Sequence, residues 1–138
     1  MSLYDIFEIS GSALAAQSVR LNTTASNIAN ADSVASSENQ TYRARHPVFE
    51  AVLQGMRSEQ DASAGVRVAG IVESKAAPIA RYQPENPLAD ENGYVYSPNI
   101  SVVEEMANMI SASRNYQANV QVANMTKYLL TRTLTLGQ

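Results

Sequence analysis

Between Ser2 and about Ala31, large apolar side chains fall at seven-residue intervals: Phe7, Leu14, Leu21 and Ile28. Four positions after each stands Gly11, Ser18, Ala25 or Asp32, mostly small residues that permit close helix approach. No proline interrupts the stretch, and Ser2 and Asp5 have the spacing of a capping box with Asp in place of Glu or Gln. One long helix over residues 1–31 is predicted. A second occupies residues 100–138, opened by Pro98 and by Ser101 with Glu104 three positions on, and stopped by Gly137. Along it Val102, Met106, Met109, Ser113, Tyr116, Val120, Ala123, Lys127, Leu130 and Leu134 keep a 4,3 spacing, the pattern of a coiled-coil seam.

The 32–99 stretch has a different texture. Val34 to Thr41 is a polar, serine-rich loop, and Thr41 to Leu53 sets Tyr42, Val48, Phe49 and Val52 around Pro47, as a short strand or irregular segment would. Gly65 to Glu73 alternates Val66, Arg67, Val68 before Ile71 and Val72, and Asn92-Gly93 offers a hairpin-type turn before Tyr94, Val95 and Tyr96. Pro78, Pro84, Pro87 and Pro98 bias residues 76–99 toward extended backbone that lies against something else. The expected fold is mainly α: long terminal helices packed as a coiled coil, a small β-rich insert, and an extended proline-rich segment before the last helix. These form one structural unit.

Composition sharpens this picture. Of the 138 residues, 17% are charged, below the roughly 25% typical of soluble domains, and Asn, Ser, Thr, Gln and Ala fill the difference. The helix faces away from the predicted seams carry Asn22, Thr23, Thr24, Ser26, Asn27, Asn30, Asn108, Asn115, Asn119 and Asn124 where a water-facing coiled coil displays Lys and Glu. Such faces suit protein neighbours. Net charge is −3, concentrated in the centre because the two ends carry −1 and +1, so neither nucleic acid nor an acidic membrane surface is an expected partner. The short apolar runs predict neither a secretory signal nor a spanning helix.

Chemistry is sparse. There is no cysteine, and His46 has no second histidine to complete a metal site. Glu104 and Glu105 point about 100° apart on a helix, a poor arrangement for paired acid-base work. Asp90, Glu91 and Asn92 lack the ligand spacing of a calcium loop and read as a turn. No catalytic residue, cofactor or metal site is expected. The candidate functional residues are packing residues: Phe7, Leu14, Leu21, Asn27, Ile28, Asn30, Met106, Met109, Tyr116, Asn119, Val120, Leu130 and Leu134. Asn27 and Asn30 admit two readings, a helix C-terminal cap or an assembly contact.

Several blocks of sequence carry a family resemblance. Near the start stand Ser10, Gly11, Ala13, Leu14, Gln17, Arg20, Leu21 and Asn22, then the Asn27-Ile28-Ala29-Asn30 tetrad. Pro84 to Pro87, Ala89, Asp90, Gly93 to Val95, Pro98 and Asn99 precede the last helix, which contributes Met106, Ser113, Arg114, Tyr116, Gln117, Asn119, Asn124 and Leu134 to Gly137. The chain resembles the flagellar basal-body rod proteins, within the axial family that includes hook and junction proteins. The resemblance implies a subunit of the proximal rod, a hollow drive shaft that crosses the periplasm, transmits torque and encloses an export channel. It further implies passage through the flagellar type III apparatus. Implied partners are copies of itself, other rod proteins, MS-ring and export-gate components and hook-basal-body adaptors, with no direct membrane insertion. Another rod or hook-type subunit, or a soluble coiled-coil adaptor or exported effector, remain as alternatives.

Overall fold

The computed structural model describes residues 2–54 and 63–136. Helix α1 spans Leu3–Asn30 and helix α2 spans Val102–Leu136. Between them come β1 (Arg45–Gln54), β2 (Ser63–Glu73), β3 (Ile79–Tyr82) and β4 (Tyr94–Ser97). At about 1.5 Å per residue the helices reach about 42 and 52 Å.

The start of α1 is closed by the predicted capping box. Ser2 Oγ accepts from Asp5 N at 3.2 Å, and Asp5 Oδ2 accepts from Ser2 N at 2.6 Å, which also holds the Asp5 carboxyl below its ordinary pKa. The corresponding box on α2 is half made. Glu104 N donates weakly to Ser101 Oγ at 3.4 Å, and no return bond from Ser101 N appears. Gly137, the expected stop, lies outside the described residues.

Strands β1 and β2 form an antiparallel hairpin with a bulge between Val48 and Phe49. It docks on α1 through Ser12, whose Oγ accepts from Val66 N at 3.1 Å while donating to Ile9 O at 2.8 Å. Gly65 makes this close approach possible, since a Cβ there would stand 3.2 Å from Ser12 Oγ. Ala16 and Thr23, one and three turns on from Ser12 along the same face, are buried.

The 76–99 stretch departs from the extended strap expected. It contains a two-stranded sheet of its own, β3 with β4, joined by a chain of turns. Asn92-Gly93 does not make a two-residue hairpin. The turn is organised by Asp90, whose Oδ1 accepts from Asn92 N and Tyr94 N and whose Oδ2 accepts from Tyr96 OH. Those bonds, led by the one from Tyr94, favour the charged form and lower the Asp90 pKa, while the Tyr96 hydroxyl is raised by the bond it donates. Gly93, at φ 83°, takes the left-handed position, with Tyr82 and Pro84 where a Cβ would go. Ala35 pairs with Tyr96, tying the serine-rich loop to β4 and burying Val95.

The helices lie side by side, α1 touching α2 and both strands of the first hairpin, while among the described residues α2 packs mainly on α1. The buried positions place the seam one residue from where it was expected. On α1, Ile6, Ser10, Ala13, Gln17, Arg20, Thr24, Asn27 and Ala31 are buried or half-buried at 4,3 spacing. On α2 the same spacing runs through Glu105, Met109, Ala112, Asn119, Ala123, Thr126 and Leu130, with Tyr116, 37% exposed, at its edge. Met109, Tyr116, Ala123 and Leu130 are shared with the predicted stripe, but its other positions are each displaced by one residue, and Met106, Lys127 and Leu134 are exposed. Phe7 is exposed, and Leu14, Leu21 and Ile28 sit about 100° beyond the seam and only half-buried. The reason is steric and chemical. Small residues let the two backbones approach, and a polar group at the contact is tolerated when the partner helix or strand satisfies it.

A candidate assembly scaffold built on Asn27

Where α1 ends, the structure concentrates its polar bonds on one side chain. Asn27 is 0% exposed and makes every hydrogen bond its amide can make in this setting. Its Nδ2 donates to Arg45 O at 2.9 Å and to Glu105 Oε2 at 3.0 Å. Its Oδ1 accepts from Arg45 N at 2.9 Å and from Tyr42 OH at 3.0 Å. Four bonds therefore join α1, the loop before β1, β1 itself and the first turn of α2. Tyr42 OH also meets Ser26 Oγ at 3.1 Å, and the Arg45 guanidinium lies over the Tyr42 ring and on Glu73 at 3.2 Å.

Within the subunit Asn27 is an internal tie. Asn30 is partly exposed and bonds back to Ser26 O at 2.8 Å, while Ala31 is the residue that caps the helix. Glu105 is 5% exposed, a buried carboxylate at the end of α2 nearest Asn27. Sequence reasoning weighed it as a catalytic acid and passed over it as a tie. The signal that could have found it is the small and polar heptad of Ser10, Gln17, Thr24 and Ala31, which runs beside the apolar one and has Asn27 in its companion position.

Of the remaining packing residues, Met109, Asn119 and Leu130 lie at the seam, while Phe7, Met106 and Leu134 are exposed. Asn119 and Val120 are half-buried, with Asn119 Nδ2 donating to Asn115 O at 2.9 Å. On α2 a further set of large apolar side chains is exposed: Val103, Met106 and Ile110 near its start, then Val122, Met125 and Leu129, and beyond them Leu136. Each set repeats at intervals of three and four, so each forms a stripe, and the two stripes lie on different flanks of α2, off the α1 seam. Because Asn27 meets Glu105 near the start of α2, the longer α2 runs on past the start of α1, leaving Leu134 and Leu136 73% and 85% exposed.

Nothing in this arrangement brings nucleophile, base and oxyanion donors together. Among the described residues no group of three or more His, Asp or Glu could hold a metal ion, and no helix is long and apolar enough to cross a membrane.

Two family models match the two ends that build this scaffold. Residues 7–35 match the flagella basal body rod protein model, and residues 91–136 match the C-terminal model of the flagellar basal body rod FlgEFG proteins. Over its whole length the chain is 54% identical to the flagellar basal-body rod protein FlgC of Salmonella typhimurium, covering 100% of both chains. The chain belongs to the flagellar basal-body rod protein family. The rod protein FlgC of Yersinia enterocolitica is 55% identical over 138 residues, and that of Buchnera aphidicola subsp. Schizaphis graminum 39% over 140, each again with both chains covered completely. As a rod-family member the chain is a structural subunit of the flagellar basal body and not an enzyme. The resemblance read from the Asn27 tetrad and the Pro84 to Asn99 motif therefore identified the family correctly.

Proposed function

We propose that this rod subunit occupies the proximal part of the rod, where its helices pack against those of adjacent copies and other rod proteins to form a hollow shaft. The observation that carries the reading is the set of exposed apolar stripes on α2, which no element among the described residues covers. Monomeric proteins seldom leave contiguous apolar helix faces in water, and neighbours in an assembly would bury them. Each Leu, Ile or Met so buried contributes on the order of 1.5 to 3 kcal/mol. Phe7, Leu14, Leu21 and Ile28 supply a further half-exposed stripe on α1. Asn119 and Asn124 set register through the cost of an unpaired amide.

Torque passes through many such contacts, and the shaft encloses the channel through which later subunits travel. A chain without cysteine, with a small and polar internal seam, suits export as an unfolded polypeptide through the flagellar type III apparatus. The internal seam and the Asn27 tie give the free subunit its frame, and the far turns of α2 become ordered when neighbours cover them.

The test is complementation of a strain lacking its own copy of this subunit with Ile110→Asp and Met125→Asp variants. Swimming is lost while the circular dichroism of the purified variants matches that of the parent. Normal swimming with both changes overturns the packing model.

A further inference from the structure

Arg20 presents a problem that the scaffold leaves unsolved. It projects from the middle of the α1 seam, partly buried, and one guanidinium nitrogen donates to Asn108 Oδ1 on α2 at 3.2 Å. The ion pairs of the described residues are Arg45–Glu73 and Arg67–Glu50, so Arg20 has no carboxylate partner among them. A guanidinium carries five N–H donors in a fixed fork, and a neutral amide oxygen satisfies little of that charge.

The space beside it is a cleft of about 360 Å³ where three elements meet, lined by Arg20 and Thr24 from α1, Asn108 from α2, and His46, Pro47 and Phe49 from β1. Each of its polar groups can donate a hydrogen bond. Asn108 spends its oxygen on Arg20, which leaves its amide N–H groups to the cleft, and the Thr24 hydroxyl and the His46 ring make no hydrogen bond among the described residues. Among the described residues no acidic side chain lines the cleft. The carboxylates on α2 are Glu105, bonded to Asn27, and Glu104, and neither pairs with Arg20 among the described residues. The apolar wall of Pro47 and Phe49 lowers the local dielectric and strengthens an ion pair made there.

We infer that this cleft binds a carboxylate, supplied by an acidic side chain of a neighbouring copy of the chain. The inference rests on the assembly reading above and names the chemistry of one contact in it. Charge complementarity on the same molecule points to the donor surface. From Gln83 to Gly93 the β3–β4 connection carries Glu85, Asp90 and Glu91 with no basic residue, and Glu85 and Glu91 are exposed with no hydrogen bond from their side chains among the described residues. Asp90 is engaged by its own turn, which leaves those two carboxylates available. A planar carboxylate matches the guanidinium fork, and the ring of neutral donors around it adds direction.

The test fills the cleft with a carboxylate of the chain's own. Asn108→Asp gives Arg20 an internal partner, and His46→Asp supplies one from the exposed rim of β1, where the fold tolerates change. Both variants keep or raise the melting temperature of the purified chain, yet assembled rods in a complemented deletion strain fall roughly tenfold, as when like charges face each other at an interface. Wild-type rod numbers with both variants overturn the inference, because a merely structural Arg20–Asn108 contact would improve with Asp. Failure of the parent chain to restore rods in that strain would instead refute the assembly reading itself. The occupant is read by disulfide trapping, clean in a chain without native cysteine. His46→Cys combined with Glu85→Cys or with Glu91→Cys gives multimers on non-reducing gels of assembled rods if a second copy fills the cleft. Monomer from both pairs excludes it.

Discussion

The two helices have similar composition and lie against each other, but they are treated differently by the rest of the chain. Helix α1 is held from two sides, by α2 along its seam and by the β1–β2 hairpin, which bonds it at Ser12. It also begins with a complete capping box and ends in the Asn27 tie. Helix α2 is longer, is held from one side, begins with half a cap and displays large apolar residues over most of its outer surface. The contrast is internal to the subunit: α1 is the helix that the rest of the fold grips, and in the assembly proposed above α2 offers most of the surface left for neighbours.

That contrast is broken most severely at Asn27. Asn27→Leu removes four hydrogen bonds and leaves the Arg45 amide, the Tyr42 hydroxyl and the buried Glu105 carboxylate without that partner. A loss of about 3 to 5 kcal/mol is expected in urea denaturation followed by helix signal, the range for abandoning a buried charged partner. Next comes the seam. Ala112 is 0% exposed where the helices meet, so Ala112→Leu overpacks it and costs about 1 to 3 kcal/mol in the same measurement. Ser2→Ala, which deletes the α1 cap, costs about 1 kcal/mol.

The smallest effect on the isolated subunit is the most informative for the comparison. Ile110→Asp on the outer face of α2 changes unfolding free energy by less than about 0.5 kcal/mol, although an apolar residue has been replaced by a charge. Its consequence is confined to assembly. If it destabilised the free chain as much as Ala112→Leu, α2 would have a second internal partner and the contrast would fail.

A titration sharpens the role of the β3–β4 turn. The Asp90 carboxyl is lowered from its ordinary 3.8 in the folded chain, so its contribution is complete above that value and is lost as pH falls below it toward the folded pKa. Nuclear magnetic resonance of the Tyr94 and Asn92 amides should show those bonds opening in that acid range, while Asp90→Asn leaves little acid dependence in their place.

Much of this architecture was legible in the residues. The 4,3 recurrence and the Ser2 and Asp5 cap predicted both helices within a residue or two, and the alternation of Val66 and Val68 predicted β2. The β3–β4 sheet was harder to see, because prolines argue for extended backbone without saying what it pairs with, and the Asp90 turn works through side-chain bonds that span four residues.

Sequence by itself determined that this chain has two long helices around a small β insert and carries the signatures of a rod-family subunit. Only the tertiary structure decided which of two adjacent heptads lies inside. The apolar one, Phe7, Leu14, Leu21 and Ile28, is the stronger pattern and was expected at the seam; the chain instead closes on Ser10, Thr24 and Asn27 against Glu105, Ala112 and Thr126. Periodicity reports that a face wants burial but not what will bury it. Polar side chains enter the interior when partners from distant parts of the chain arrive in register, as Arg45 and Glu105 do at Asn27, and such partners cannot be read from a local window.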